Sequence, residues 1–458
     1  MDRPERSDQA AAIAAIQTME DGMPHSRGKG SRPAYRLYIL LLLFLLNSLS
    51  YADRHLFSIL IPAVKAEFGV SDSLLGLIGG PGFIISYVLC SMPLARLADR
   101  WSRRGVLALA ATLWSAATAA CGAAANITQL ALARFAVGIG EAGGLPPSQS
   151  ILASLFGEDR RSAAMGVLAS GTYFGLILGL VGGAAVAAEW GWRAAFFALA
   201  LPGFPLALLF WFTGPRRQRQ DVAPGAGREG PSFWASVRMF WNIKSLRLIA
   251  IGVGTFNIFG YAGAVWMPAY FMRSHGMSII EAGAWLGMGS AIGGIVGSIA
   301  SGAMVDRLRV RGEHWQLRLP AIAFLLAFPQ NVVMFMMPGG AGINLGGTHI
   351  PAVAMVTMLG GFLAACWAGP SFSAAARLVA QSQRAQATAM LVVIINVIGS
   401  MIGPSLSGFV SDMLMGRLGE ESLRISLLIM SLLTLAGGML FWRASTHYAR
   451  DLAAREVI

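Results

Sequence analysis

The chain has 458 residues, 55% hydrophobic and only 13% charged, with a net charge of +12. Soluble domains carry about 25% charged residues, so this balance, with a mean hydropathy of +0.60, excludes a soluble globular protein and points to one that crosses a membrane repeatedly. The three cysteines, Cys90, Cys121 and Cys366, fall inside apolar segments with no CxxC spacing, which excludes a disulfide framework and a thiolate metal site.

A crossing helix needs about 20 apolar residues. In chain order, such segments are read at 36–62, 73–95, 105–125, 127–153, 163–187 and 192–213, then at 248–272, 280–304, 318–338, 350–376, 386–412 and 423–443. The expected fold is therefore all-α, with twelve transmembrane helices. Residues 1–35 are polar, lack an apolar leader, and are expected to form a disordered cytoplasmic tail; 446–458 form a second tail. The Pro/Gly/Arg-rich stretch 214–247 reads as a cytoplasmic linker between an N-terminal bundle (36–213) and a C-terminal bundle (248–445). Basic residues support this layout. Only Lys65, Arg193, Arg273, Arg417 and Arg424 fall in the expected outer loops, as cytoplasmic enrichment of Lys and Arg requires. The positive charge thus reads as topology and contact with anionic membrane lipid rather than nucleic-acid binding.

The first span carries Asp53 and Arg54 side by side. A charge at the bilayer centre costs about 2.5–3.5 kcal/mol on insertion scales, so such residues face a bundle interior or a water-filled path. Adjacent helical residues point about 100° apart, so the two are not expected to pair solely with each other. The fourth span holds Arg134, Gly138 and Glu141 at i, i+4, i+7, on one face. Its Gly-x-Gly-x-x-Gly at 138–143 is not a dinucleotide fingerprint, because no strand precedes it; the glycines are expected to let this helix approach a neighbour such as helix one. The loop after span two contains Asp99-Arg100 with Arg103 and Arg104. The loop after span eight contains Asp306-Arg307 at the equivalent place, the mark of a duplicated bundle. Glycines recur every fourth position in span five (Gly171 to Gly183) and span eight (Gly289 to Gly297), a spacing that lets helices approach closely in lipid.

Across residues 36–445 the chain resembles a major facilitator superfamily transporter. The resemblance rests on Leu97-x-Asp99-Arg100-x-x-Arg103-Arg104, although Ala95 and Ser102 stand where the family has glycine. Tyr51-Ala-Asp53-Arg54, together with Arg134-x3-Gly138-x-Gly140-Glu141-Ala142, is similar to the spinster-like subgroup, associated with lysophospholipids and sphingosine phosphate. The related importers of organic acids carry very similar patterns. The resemblance implies two six-helix bundles rocking about a central cavity, with spans two, five, eight and eleven at the seam and with Asp99, Arg100, Arg103, Arg104, Asp306 and Arg307 as a gate. Leu180 follows Gly179 where the family's antiporter pattern has proline, so direction is left open.

The expected roles follow from side-chain chemistry. Asp53 is the first choice for the proton-coupling site, and Glu141 is the second acid or the partner that releases Arg54 or Arg134. Arg54, whose fork suits phosphate or carboxylate, is the anion contact, with Tyr51, Asn47 and Ser58 lining the cavity nearby. Arg134 and His55 are internal partners of the acids. The C-terminal spans offer aromatic rather than charged surface, and Phe259, Trp266, Phe362 and Trp367 are expected to receive an apolar tail. No phosphate loop, metal cluster or catalytic triad is visible. The expected protein is a monomeric, non-enzymatic transporter of a lipid-like or organic-anion substrate, with protons as the coupling ion and no cofactor.

Overall fold

The computed structural model describes residues 33–216, 238, 240–345, 348–380 and 383–456; the expected tail at 1–32 and most of the linker, 217–237, lie outside the described residues. Among the described residues, nine helical stretches are long and apolar enough to cross a membrane. Two of these, of 54 and 70 residues, exceed one crossing and are turned by Gly191 (φ 81°) and Gly419 (φ 54°), a backbone region that glycine enters without steric cost. In chain order the rods are α1 (Pro33–Phe68), α2 (Asp72–Arg100), α3 (Arg103–Gly122), α4 (127–155), α5 (158–190) and α6 (192–213). They continue as α7 (Lys244–His275), α8 (Ile279–Arg309), α9 (Trp315–Met336), α10 (Ala352–Arg377), α11 (384–418) and α12 (Ser422–Glu456). A two-stranded antiparallel hairpin, β1 (Gly342–Leu345) and β2 (Thr348–Pro351), joins α9 to α10.

Several rods are broken where the sequence removes backbone donors. In α4 the helix stops at Glu141 and restarts at Leu145, because Gly143-Gly144 unwinds it and Pro146-Pro147 suits only a first turn. Six rods later α10 breaks at Cys366–Trp367. A wide π turn interrupts α5 at Leu178–Gly182 and α11 at Ile395–Ser400. Two irregularities thus recur at the same interval of six helices as the Asp-Arg loops.

Within the first six rods, α1 packs on α5, and α4 on α2 and α3; within the last six, α7 and α9 pack on α12 and α8 on α10. The two sets meet through α2 with α11, α1 with α7, and α5 with α8. The glycine stripes divide differently from the expected seam. Those of α5 face α1: a methyl on Gly175 would sit 2.4 Å from the Ser48 carbonyl oxygen, and one on Gly179 2.4 Å from that of Ala52. In α8, Gly293 and Gly297 face α10, whereas Gly283, Gly287 and Gly294 face α5. The reason is geometric, since a helix interior to the bundle has neighbours on two sides and needs a close-packing face for each. The α2–α11 contact does use glycine at the seam: Gly76 lies against the Pro404 carbonyl and Gly408 against that of Asp72. Trp266 Nε1 donates to the same Pro404 oxygen at 2.9 Å.

Helix extends into both expected tails. Helix α1 starts at Pro33, and the Tyr35 hydroxyl donates to the Thr213 carbonyl at 2.8 Å, tying α1 to the end of α6. Helix α12 runs through 446–456 because Tyr448 is fully buried and the Asp451 carboxylate accepts from the Ser245 amide (2.9 Å) and hydroxyl (2.5 Å). That carboxylate satisfies otherwise orphan donors at the start of α7.

A Cβ at Gly293 would lie 2.1 Å from the Met358 oxygen, whereas nothing is within 4 Å at Gly302. Gly293→Val is expected to destabilise the protein by about 1–3 kcal/mol through overpacking, and Gly302→Ala to leave the unfolding midpoint unchanged; thermal unfolding in detergent checks both.

Candidate functional site

Helices α1 and α4 bring four charges together in crossed pairs. Asp53, 1% exposed, pairs with Arg134, 2% exposed. The Thr118 hydroxyl of α3 donates to the other Asp53 oxygen at 2.7 Å. Arg54 instead reaches Glu141, with both Nε and Nη2 at 2.7 Å from Oε2. The Ser50 hydroxyl donates to the same oxygen at 2.8 Å. The 100° offset between adjacent residues is what sends Asp53 and Arg54 to different partners. Glycine permits the approach, though not where expected: Gly138 packs on α2 beside the Phe83 carbonyl, and Gly140 on α3 against the Trp114 backbone.

The two pairs differ in access. Arg134 and Asp53 are sealed in, with the guanidinium over the ring of Phe57 at 5.1 Å. The Arg54 side chain remains 24% exposed and its guanidinium stacks on Tyr51 (4.9 Å), Phe83 (4.7 Å) and Tyr87 (5.1 Å). Glu141 Oε1 is buried and has no hydrogen-bond partner among the described residues. A buried carboxylate oxygen without a donor is costly, and a proton on it removes both its charge and its hold on Arg54. Asn47 lines the small pocket around Arg54 and Glu141 and straps α1 to α5, donating to the Leu168 carbonyl at 2.9 Å. Ser58 is buried and donates within α1 to the His55 carbonyl, away from this pocket.

On the other face of α1 lies a cavity of about 370 Å³, bounded by α1, α5 and α7–α10. Its wall includes His55, Tyr173, Phe259 and Met334, with the amides of Gln330 and Asn331 from α9. Of the four aromatics expected to receive a tail, Phe259 is in this wall. Trp266 is instead fully buried as the strut to Pro404. Phe362 packs where α10 crosses Gly293 and Gly297, and Trp367 packs against Phe372 at 6.0 Å. His55 likewise faces the cavity rather than the charged pairs.

A second polar cluster, invisible in the sequence reading, closes the molecule between the α1–α2 and α7–α8 turns. Asp72, 0% exposed, accepts Lys65 at 2.7 Å and a forked Arg273 at 2.8 and 2.9 Å. The Ser411 hydroxyl donates to it at 2.9 Å. Asp412 in turn accepts the amides of Asp72 (3.0 Å) and Ser73 (2.7 Å), capping α2 from across the seam. In the sequence Asp72 carries no signal of this role, and Arg273 is one more outer-loop arginine. At the opposite end, where α1 begins, Asp99 lies 3.5 Å from Arg103 in its own loop and Arg104 is 3.5 Å from the Gly214 carbonyl. Arg100, Asp306 and Arg307 are exposed there. The acid that ties the end of α8 to α10 is Glu313, gripped by Arg377 at 2.5 and 2.9 Å. Those hydrogen bonds hold the Glu313 carboxyl below its ordinary range.

Broken helices around paired intramembrane charges, a central cavity and a polar cluster joining two helical sets at one end are features of a transporter. Residues 43–343 match the Major Facilitator Superfamily, and the chain belongs to that family. A Mycolicibacterium smegmatis protein named an MFS-type efflux pump is 32% identical over 453 residues, covering 97% of this chain and 99% of that one. A probable galactarate/D-glucarate transporter of Bacillus subtilis is 27% identical over 326 residues, covering 65% of this chain and 71% of its own. Among solved structures, a bacterial homolog of the human lysosomal transporter Spinster, inward-facing and unoccupied, shares the fold with a TM-score of 0.81 at 24% identity, covering 92% of this chain and 99% of that one. The protein is thus a multi-pass membrane transporter of the major facilitator fold, not an enzyme.

Removing one member of a sealed ion pair strands the other, at about 3–5 kcal/mol. Arg134→Ala is therefore expected to lower the unfolding midpoint far more than Arg54→Ala, whose partner stays within reach of water; a thermal melt of purified protein compares them. Asp72→Asn removes the charge gripped by Lys65 and Arg273, and is expected to widen the distance between spin labels on the α1–α2 and α7–α8 turns. An unchanged distance distribution would deny Asp72 a part in closure.

Proposed function

We propose that this chain is a proton-coupled transporter of an anionic or zwitterionic amphiphile, of the lysophospholipid or sphingosine-phosphate type. It works by alternating access in the cell membrane, with both termini cytoplasmic. The observation that carries this reading is Glu141. Its Oε2 holds Arg54 at the rim of the cleft while its Oε1 is buried and bare. A proton on Glu141 frees the Arg54 fork for a phosphate or carboxylate, and the departing anion returns Arg54 to Glu141 as the proton leaves. Binding of proton and substrate are linked with positive sign, because the proton displaces Arg54 from Glu141 and the anion displaces Glu141 from Arg54, so each favours the other. Asp53, with its charge already met by Arg134 and Thr118, serves as the second acid and fixes α1 against α3 and α4. The apolar wall beyond His55 receives the tail, with Phe259 as the aromatic contact.

A ligand shifts the two-state equilibrium only by its differential affinity for the states. Here an anion bridging Arg54 to the second helical set favours closure around it, against the α2–α11 seam and the Asp72 cluster that stabilise the present arrangement. A proton-coupled small organic-anion symporter is the second reading. It is favoured by the Bacillus subtilis relative named for galactarate and D-glucarate, and it would use the same Arg54 with a smaller occupant.

Proteoliposomes with an imposed pH gradient separate the two. Lysophospholipid is expected to move with the gradient, and Glu141→Gln to abolish gradient dependence while leaving the protein folded. Movement of glucarate alone would replace the amphiphile by the organic anion, and full coupling in Glu141→Gln would remove Glu141 from the proton path.

A further inference from the structure

The cavity that would take the tail is not purely apolar, and its polar groups are unevenly satisfied. Helix α9 puts two amides in the wall directly after Pro329. Gln330 is committed: its Nε2 donates to the Val356 carbonyl of α10 at 3.3 Å. Thr357, also in the wall, is committed as well, donating to its own helix at the Val353 carbonyl at 2.8 Å. Asn331 is not. It is 3% exposed, and its Nδ2 is buried with no hydrogen-bond partner among the described residues. The same wall includes Phe256 and Met334, and the one acceptor these offer, Met334 Sδ, already takes Gln330 Nε2 (3.9 Å) and the Thr357 hydroxyl (3.7 Å).

An amide in this position is a liability for a protein that binds only hydrocarbon. Water entering the cavity can serve Asn331, but an alkyl chain filling the same space excludes that water and strands the group. A substrate that carries its own hydrogen-bonding atom at this depth does not. A leucine of similar volume would suit a plain tail better.

We propose that Asn331 is a specificity-determining residue, selecting substrates that carry a neutral hydrogen-bonding group, an ester carbonyl or a chain hydroxyl, on the part of the molecule remote from the charged headgroup. This rests on the amphiphile reading above and sharpens it: Arg54 reads the charge on one face of α1, and Asn331 on α9 reads a second, uncharged group in the cavity on the other face. A site built to hydrogen-bond a group discriminates against the analogue lacking it more strongly than an apolar pocket discriminates by size.

The test uses three lysophospholipids of one headgroup and chain length: an alkyl ether, the corresponding acyl ester, and a chain-hydroxylated alkyl ether. Binding is measured by thermophoresis on the protein in nanodiscs. The wild-type protein is expected to bind at least one of the two polar-bearing lipids about tenfold more tightly than the plain ether, the size of one well-made hydrogen bond in a buried site. In Asn331→Leu the preference is expected to vanish, chiefly through tighter binding of the plain ether, with Asn331→Ser retaining part of it. The ligand-free Asn331→Leu protein is expected to melt at or above the wild-type temperature, because the amide it loses has no partner in the fold. A preference that survives Asn331→Leu, no preference in the wild type, or a marked fall in the ligand-free melting temperature overturns the assignment while leaving the amphiphile reading intact. If the wild type binds none of the three lipids, both fall together.

Discussion

A charge that cannot reach water must find its opposite, and the architecture around α1 is arranged by that requirement. In an aqueous domain Asp53 and Arg54 would each be solvated and would dictate nothing. Inside a bundle, two adjacent charges on one helix diverge by about 100°, so each demands a counter-charge from a different direction, and α4 supplies both. Arg134 and Glu141 lie two turns apart on one face of α4, and the glycines between them let that helix sit close to α2 and α3. The break after Glu141 follows from the same place, because the backbone there is lined by protein and the pocket around Arg54 rather than lipid.

The two pairs are chemically similar and structurally unequal, and that inequality separates scaffold from working part. Asp53 has both oxygens engaged and no route to water, so it anchors α1 to α3 and α4. Glu141 has one oxygen engaged and one bare, and its partner is partly exposed in a cage of aromatic rings. Aromatic faces hold a guanidinium without a directional bond, so the rings of Tyr51, Phe83 and Tyr87 leave the Arg54 fork to Glu141. Closure at the far end has the opposite character. Asp72 collects two cations and a hydroxyl in a site sealed from solvent, so this end stays shut until several contacts are surrendered together. Small changes at one pair can then be expressed as a change between two discrete arrangements, since packed seams are bistable rather than continuously deformable.

Seen from the cavity, α1 is a divider. Arg54 looks toward α2 and α4, and the next residue, His55, looks toward the apolar space formed largely by the second helical set. A charged group and a cavity-lining group are thereby placed on adjacent residues of one helix. The aromatic wealth of α7 and α10 serves mostly other ends: Trp266 is a strut whose indole donor needs a buried acceptor and finds it in the Pro404 carbonyl.

Composition, hydropathy and the spacing of charge were enough to determine the class of protein, the helical spans and the residues Asp53, Arg54, Arg134 and Glu141, because lipid penalises every ionisable group and so makes each one conspicuous. The break in α4 was not legible: Gly143-Gly144 and Pro146-Pro147 lie inside 127–153, which hydropathy shows as one continuous span. The pairing of those charges, the faces to which the glycine stripes turn, and the identity of the wall residues belong to the tertiary structure alone. A glycine repeat announces close packing but carries no record of which neighbour it meets, and a tryptophan in an apolar helix looks the same whether it faces a cavity or a carbonyl. Asp72 and Asn331 show the limit most clearly. Neither carries a signal of its role in the sequence, and only the approach of α11 and α7 to the first, and of an apolar wall to the second, decides what each must do.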